Sequence, residues 1–443
     1  MPHDVLIKGG RIVDADQGVD LVGDLYVRDG SIAAIVPLGG TGPASEARGF
    51  QVIDAEGCIV SPGFVDLHCH LRDPGQEDKE TIATGTRAAA RGGFTTVCCL
   101  ANTHPPVDSR AVVEYIQRTA RSTAAVRVLP IACVTKRMGG QELTEMGELA
   151  EIGVVAFSDD GRAIASSRVM RAALEYSRMF DRPIMPHCED PELASGGVMN
   201  EGPVATRLGL KGWPSVAEEV MVARDLRLAE MTGGRLHVAH VSTARGVELV
   251  RQAKARGVRV TAEVTPHHLA MTDEWVAGVR WDGRRADPYD TNTKVSPPLR
   301  GEADRQALLE GLKDGTIDAI ATDHAPHTVV DKLCEYDFAA FGISGLETAL
   351  ATLLRLVRME ELDLKLVLRK LTVGPARAFG LSAGTLRPGS PADVTVLGPN
   401  LRWVVDPKEF ASKGQNTPLA GMPMVGKVVA TLVGGEVVYN ARS

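Results

Sequence analysis

The sequence has few aromatic residues and no excess of positive charge. Its 443 residues include 9 Phe, 4 Trp and 6 Tyr, and 49 Lys and Arg stand against 56 Asp and Glu, for a net charge of −7. Proteins that bind single-stranded nucleic acid stack bases on aromatic rings beside a basic surface, so we expect no nucleic-acid partner. Long apolar runs are missing as well. None approaches the roughly 18 residues that a membrane span needs, and we expect no membrane segment.

Cysteine is also scarce. The 7 cysteines are an odd number, and several lie inside apolar runs such as FTTVCCL and LPIACV. A secreted disulfide framework needs an even set of cysteines. The first residues, MPHDVLIKGGRIVD, lack the apolar core of a signal peptide. We therefore predict a cytoplasmic protein whose thiols stay reduced.

The two ends of the sequence share a pattern that the middle lacks. Residues 4–60 consist of short alternating segments broken by Gly and Asp, such as DLYVRDGSIAAIV, and the C-terminal stretch MVGKVVATLVGGEVVYN is similar. Such segments are typical of β-hairpins. Neither end has enough strands for a stable sheet of its own. We therefore predict that residues 1–60 and 379–443 pair into one small β-sandwich domain.

Residues 61–378 alternate apolar, β-rich runs with amphipathic helical segments. Eight runs qualify as strands: GFVDLHCH, FTTVCCLAN, VRVLPIACV, VVAFSDD, PIMPHCED, LHVAHVST, VRVTAEVT and IDAIATDHAP. Helical segments such as AEEVMVARDLRLAEMTGG follow most of them, and several end in Gly, which is a helix stop signal. Periodicity alone also fits a doubly wound sheet. The count of eight favours an α/β fold of the (β/α)8 TIM-barrel type.

Polar residues lie at the C-terminal ends of most predicted strands, where the side chains of a barrel converge on one mouth. His68 and His70 end the first strand, in VDLHCHLRDPG. Because side chains alternate faces along a strand, these two imidazoles point the same way and can share a metal ion. Cys69 points away and is expected to be a buried apolar residue. His237 faces the other side of its strand from His240, so we interpret it as a packing residue.

Other strand ends extend the predicted metal site. They carry His187, His240, Asp323 and one of the pair Asp159 and Asp160. A lone His or a DDG turn is usually structural, but a buried carboxylate is costly unless it is paired or bound to a metal. Four imidazoles and two carboxylates suit Zn²⁺. Six ligands exceed what one tetrahedral ion uses, so we predict two zinc ions that share a bridging carboxylate.

With these residues in place, the sequence resembles the amidohydrolase superfamily and, within it, the bacterial class I dihydroorotases. The motifs that carry the resemblance span the chain: SPGFVDLHCHLRDPG, KETIATGTRAAARGGFTTV, LANTHPP, AFSDDG, HCED, HVAHVST, VTAEVTPHHL, TKVSPPLR, GTIDAIATDHAPHT and FGISGLETA. The resemblance implies a (β/α)8 barrel with a β satellite built from both termini. It also implies zinc-dependent, reversible hydrolysis of dihydroorotate to N-carbamoyl-aspartate, the third step of pyrimidine synthesis.

The resemblance further implies a role for each site residue. One zinc ion would be held by His68, His70 and Asp323, and the other by His187 and His240. Asp160 would bridge them, in place of the carbamylated lysine that many related hydrolases use. Asp323 would also be the catalytic residue that moves the proton. The substrate would contact His70, Arg72, Asn102, Ser296, His327, Phe341 and Gly342.

Ser296 departs from the family pattern, which usually has Asn in the motif TKVSPPLR. A single hydroxyl offers fewer hydrogen bonds than an amide, so we expect the substrate contact at this position to be lost or carried by water. Arg72 follows the pattern, and its planar guanidinium matches the two oxygens of a carboxylate. Asn102 is also kept, although LANT replaces the more usual MPNT.

Two other functions stay open on the sequence alone. A hydantoinase or an allantoinase would share the barrel and the H-x-H pair, although Arg72 and Asn102 favour a substrate that bears a carboxylate. An inactive homologue would serve as an assembly partner of aspartate carbamoyltransferase, but such proteins typically lose metal ligands, and all six are present here. An active enzyme could form this assembly too, and we expect a homo-oligomer. Residues 328–340 form either a mobile lid or a fixed connection.

Overall fold

The computed structural model describes residues 4–40 and 49–441. Its strands are β1 Val5–Asp14, β2 Val19–Arg28, β3 Ser31–Pro37, β4 Gln51–Asp54, β5 Ile59–Pro62, β6 Phe64–Cys69, β7 Phe94–Cys99, β8 Arg127–Pro130, β9 Met199–Asn200, β10 Gly212–Trp213, β11 Leu236–Val238, β12 Val260–Val264, β13 Ala319–Ile320, β14 Val394–Val404, β15 Pro423–Val433 and β16 Glu436–Asn440. Its α-helices are α1 Ile82–Gly92, α2 Arg110–Thr123, α3 Met146–Glu151, α4 Ser167–Ser177, α5 Pro203–Leu208, α6 Val216–Thr232, α7 Ala244–Ala255, α8 Pro266–Ala270, α9 Glu302–Lys313, α10 Val329–Lys332, α11 Ala349–Arg358, α12 Leu364–Leu371 and α13 Val373–Phe379. Within the described residues, no helix has the length and apolar character needed to cross a membrane.

One sheet combines strands from both ends of the chain. Its eight strands run in the order β16, β15, β14, β5, β1, β2 and β3, with β4 beside β1. The C-terminal strand β14 pairs antiparallel with the N-terminal strand β5, for example at Val396 and Val60. A buried cluster that includes Ile7, Val394 and Leu432 forms the core of this sheet. The two ends therefore pair as the sequence predicts, and β5 crosses the predicted boundary at residue 60.

The middle of the chain forms a ring of parallel segments. β6, β7 and β8 pair in parallel, and so do β11, β12 and β13. Single parallel bridges connect these two groups through Phe157 and Ile184, which lie in the fourth and fifth predicted strands. A bridge between Cys69 and His324 joins the last segment to the first. The eight segments occur in the order that the sequence predicts.

Alternate residues of the ring strands contribute to two different cores. Cys99 of β7 packs in the large core that includes most of the helices. Cys98 and Leu100 instead join a second cluster, formed by residues from around the ring together with Phe379 of α13. This alternation follows from the period of two along a strand. The interior of the ring therefore contains an apolar cluster.

Local sequence sets where the first helix of the ring begins and ends. α1 begins after Thr81, which forms a capping box with Thr84. It ends at Gly93, whose φ of 88° lies in the left-handed region that glycine tolerates. β7 begins at the next residue, so the chain returns at once beside β6, whose end carries His68 and His70.

Candidate metal centre

The six residues predicted as ligands meet at one end of the ring. They are His68 and His70 at the end of β6, Asp160 and His187 after the segments of Phe157 and Ile184, His240 after β11, and Asp323 after β13. All six are buried. His240 and Asp323 have positive φ values of 30° and 45°. Such backbone strain costs free energy and clusters at functional sites.

Asp160 lies between two pairs of histidines. Its Oδ2 is 3.5 Å from Nε2 of His68 and 3.6 Å from Nε2 of His70. Its Oδ1 is 3.3 Å from Nδ1 of His187 and 3.3 Å from Nε2 of His240. Each carboxylate oxygen therefore faces one pair, which is the arrangement expected of a bridging ligand.

Asp323 joins His68 and His70 to form the first of two groups, and His187 and His240 form the second. Oδ1 of Asp323 is 3.5 Å from Nε2 of His68 and 3.2 Å from Nε2 of His70. The Nε2 atom of His68 is buried and has no hydrogen-bond partner. In the second group, Nδ1 of His187 and Nε2 of His240 are only 3.0 Å apart. Converging imidazole nitrogens and carboxylate oxygens are the donor set of a zinc site, and a cation would satisfy the unpartnered nitrogen.

The charges of the cluster also suit a cation. Burial alone would favour the neutral acid at Asp160, but the neighbouring histidines, led by His68, outweigh it and hold the pKa of Asp160 well below its usual range. For His68, burial disfavours the charged ring, yet the carboxylates of Asp160, Glu263 and Asp323 raise the pKa well above its ordinary value. Without a metal, His68 therefore holds a proton between these carboxylates, and a bound cation would take the place of that proton.

Glu263 of β12 supports two histidines and was not among the predicted site residues. Its Oε1 is 2.7 Å from Nδ1 of His68, and its Oε2 is 3.1 Å from Nε2 of His237. Burial would raise the pKa of Glu263, but the two histidines lower it to about 2. His237 therefore does more than pack on Phe379, since it shares a carboxylate with His68. The signal in the sequence was an acidic residue inside the apolar strand VRVTAEVT.

Two further histidines of the cluster have partners nearer the surface. Nε2 of His187 lies 2.8 Å from Oε2 of Glu189 and 3.3 Å from Oγ of Ser296. Nδ1 of His70 lies 2.8 Å from Oδ1 of Asn102. Such outer partners fix the orientation and tautomer of a metal-binding imidazole. Glu189 was missed in the sequence, although it follows His187 by two residues.

Asp159 and Cys69 point away from the cluster. Oδ1 of Asp159 accepts hydrogen bonds from the backbone N–H groups of Val134 at 2.8 Å and Thr135 at 3.1 Å. Of the two aspartates in FSDDG, only Asp160 therefore lies among the histidines. Cys69 packs in the large outer core, and burial raises the pKa of its thiol well above the ordinary value. This is the orientation that strand alternation predicts for Cys69.

A cavity of about 580 Å³ opens directly above the cluster. The seven residues predicted to contact the substrate all line it: His70, Arg72, Asn102, Ser296, His327, Phe341 and Gly342. Burial lowers the pKa of Arg72 to about 10, so its guanidinium stays charged at neutral pH. Nη2 of Arg72 is 3.4 Å from Nε2 of His327, which also lies 2.8 Å from the carbonyl oxygen of Phe341. A fixed cation therefore forms part of the cavity wall.

Residues 328–340, at the edge of this cavity, are tied to the rest of the protein. The buried Lys332 of α10 donates hydrogen bonds to the carbonyl oxygens of Thr291 at 3.1 Å and Lys294 at 3.4 Å. Lys294 donates to the carbonyl oxygen of Tyr336 at 2.8 Å. Burial lowers the pKa of Lys332 to about 7. These contacts hold the segment against residues 291–294 in this structure.

Comparison with known proteins identifies the class of protein to which the fold belongs. A model of the amidohydrolase family matches residues 217–439, and a model described as dihydro-orotase-like matches residues 57–246. The L-hydantoinase (dihydropyrimidinase) of Arthrobacter aurescens superposes with a TM-score of 0.85 at 27% identity, covering 99% of this chain and 96% of that one. The chain thus has the fold of the amidohydrolases, and metal binding is expected of this class.

Curated relatives narrow the assignment. The chain is 51% identical to the dihydroorotase of Syntrophus aciditrophicus (strain SB), over 98% of this chain and 99% of the relative. It is 52% identical to the dihydroorotase of Pelotomaculum thermopropionicum, over 99% of both chains. The chain belongs to the dihydroorotase family, whose members are cyclic-amide hydrolases.

Proposed function

We propose that the protein hydrolyses dihydroorotate reversibly to N-carbamoyl-aspartate at a pair of zinc ions, as a step of pyrimidine synthesis. One observation carries the proposal. Asp160 lies between two histidine groups on the floor of a cavity whose wall contains a buried, charged Arg72. A substrate that carries both a cyclic amide and a carboxylate matches this pairing of a metal centre with a fixed guanidinium.

The residues of the cluster divide naturally between two ions. In this proposal His68, His70 and Asp323 would hold one ion, His187 and His240 would hold the other, and Asp160 would be a ligand of both. When bound, zinc lowers the pKa of water to about 7 and polarises the carbonyl that is attacked. The buried and unpartnered Nε2 of His68 supports this assignment.

The side chains around the cavity supply binding and proton transfer. Asp323 lies on the cavity floor, where its carboxylate can take the proton of the attacking water and deliver it to the leaving ring nitrogen. Arg72 binds the substrate carboxylate, together with Asn102 and His327. The backbone at Phe341 and Gly342 borders the substrate. In the reverse reaction Asp323 acts as the acid. Ring opening creates a second carboxylate and releases a proton, so the position of equilibrium shifts with pH whichever residue transfers that proton.

The proposal includes the finer architecture. The ring of parallel pairings that returns from His324 to Cys69 supports a (β/α)8 barrel in residues 61–378. The shared sheet of the two ends supports a β-sandwich satellite built from residues 1–60 and 379–443. Homo-oligomer formation and assembly with aspartate carbamoyltransferase stay predictions. Light scattering of the purified protein, alone and mixed with the transferase, tests both.

Turnover of three cyclic amides tests the function. We expect rapid turnover of dihydroorotate and little of hydantoin or allantoin, which lack the carboxylate that Arg72 would bind. We also expect about two zinc ions per chain, in line with a two-metal centre, and loss of activity after chelation with recovery on adding zinc. Preferred turnover of hydantoin would assign the chain to the hydantoinases instead. Full activity in metal-free protein would refute the metal centre altogether.

A further inference from the structure

We propose that Asn416 is a positioning residue that holds two cavity-lining segments together and so sets the substrate site. For the identity of the substrate, this inference rests on the proposed function. Asn416 is 4% exposed and lies in residues 405–422, the connection between β14 and β15. This connection belongs to the sheet of the two chain ends, yet it reaches the open end of the ring. There it contacts residues 325–327 and 342–344, which we call the two mouth segments.

The side chain of Asn416 uses its full hydrogen-bonding capacity on the mouth segments. Its Oδ1 accepts from the backbone N–H of His327 at 3.0 Å and from the hydroxyl of Ser344 at 2.7 Å. Its Nδ2 donates to the carbonyl oxygens of Ala325 and Gly342, each at 3.0 Å. A primary amide has two acceptor sites and two donor protons. All four are therefore satisfied, two on each mouth segment.

The hydrogen bonds of Asn416 hold residues that line the cavity. His327 and Gly342 both line the cavity, and Nε2 of His327 meets the carbonyl of Phe341 at 2.8 Å. The mouth segments also bond to each other, because the N–H of Ala325 donates to the carbonyl of Ile343 at 2.9 Å. Asn416 thus bridges two segments that must keep a fixed spacing to hold one ligand between them.

The connection that carries Asn416 is itself held in place. A Cβ at Gly414 would lie 2.3 Å from Oγ of Ser344 and 2.4 Å from Cβ of Pro326, so the backbone lies directly against both mouth segments. Two residues earlier, the hydroxyl of Ser412 donates to the buried Glu80. Glu80 also lies 3.2 Å from Nε2 of His324, the neighbour of Asp323. The connection is therefore anchored immediately before Asn416.

The variant Asn416→Asp tests the inference. It keeps the size and the acceptor oxygens but replaces both donors with lone pairs that repel the carbonyls of Ala325 and Gly342. We expect KM for dihydroorotate to rise about tenfold, which corresponds to ~1.4 kcal/mol, with unchanged metal content. We also expect faster amide hydrogen exchange confined to the mouth segments. Asn400→Asp makes the same chemical change at an exposed position of β14 and should alter none of these.

The possible outcomes separate this inference from the proposed function. A purely structural role would lower Tm but leave KM and the exchange of the mouth segments unchanged in the folded variant, which overturns the inference. If the wild-type protein fails to turn over dihydroorotate, the proposed function is wrong, and hydrogen exchange alone then decides the role of Asn416. If Asn416→Asp does not fold, the same measurements on Asn416→Ser, which introduces no charge, decide between the two results.

Discussion

The two halves of the candidate metal centre differ in how their histidines are supported. In the deep half (His68, His70 and Asp323), His68 rests on Glu263, and both side chains are fully buried. In the open half (His187 and His240), His187 rests on Glu189, whose side chain is 24% exposed. Water can replace an exposed partner but not a buried one. The protein alone therefore supports His68, whereas the support of His187 is shared with the contents of the cavity, which Glu189 lines.

Glu263 also connects the halves. Besides His68 and His237, it lies 3.4 Å from the backbone nitrogen of His240. A change at Glu263 should therefore reach both halves, and a change at Glu189 only one. This asymmetry can be measured, because the ligands themselves stay intact in both cases.

Asp323→Asn should have the largest effect, because it removes the carboxylate of the deep half. Asparagine keeps the size of the side chain and the fold, but it cannot take up the proton. General acid–base catalysis alone contributes about 10²–10⁴-fold, and weaker metal binding adds to this, so we expect kcat to fall by several orders of magnitude. Steady-state kinetics and a thermal melt measure this. Near-normal turnover would contradict the proton-transfer role of Asp323. It would mean that a residue of the open half transfers the proton.

The sequence predicts the residues of both halves but not their supports. His68 and His70 follow from strand alternation, and the other candidates from polar residues at strand ends. Glu263 carries the same signal as Asp323, an acid in an apolar strand, but its partner His68 lies 195 residues away. No local pattern identifies that partner. The partners of a buried carboxylate such as Glu263 are distant in sequence. The closure of the ring decides which of them it contacts.

Strand pattern alone does not choose between the adjacent residues Asp159 and Asp160. The family resemblance selects Asp160, and the path of the chain explains the difference by directing Asp159 to the backbone of Thr135. Asn416 is harder still, because its role depends on how far a connection of the terminal sheet extends. The pattern of the ends predicts that their strands pair, as β5 and β14 do. That pattern gives no sign that the connection between β14 and β15 extends from the sheet to the open end of the ring.

Glu263→Gln and Glu189→Gln form a matched pair that tests the asymmetry. Glutamine keeps the shape of each side chain but weakens the bond that orients the imidazole. Changes in such outer partners typically cost 10–100-fold in metal affinity or activity. We expect Glu263→Gln to lie near the upper end of this range and to lower metal occupancy at both positions. Glu189→Gln should lie near the lower end and affect one ion.

Metal titration followed by elemental analysis distinguishes the two variants, since the number of ions lost per chain is counted directly. Equal losses in both variants would mean that burial does not set the strength of the support. A larger loss of metal in Glu189→Gln would show the opposite. The open half would then depend more on its supporting carboxylate than the deep half does.

Arg72→Lys should have the smallest effect, because Arg72 lies on the cavity wall and belongs to neither half. An ammonium keeps the charge but cannot bind both oxygens of a carboxylate, and it also loses the hydrogen bond from Nε to the carbonyl of Pro326, at 3.3 Å. We expect KM for dihydroorotate to rise about tenfold with both ions retained. Arg121→Lys, at an exposed position of α2, is the matched control and should change neither value. An unchanged KM in Arg72→Lys would mean that the substrate carboxylate is bound elsewhere in the cavity.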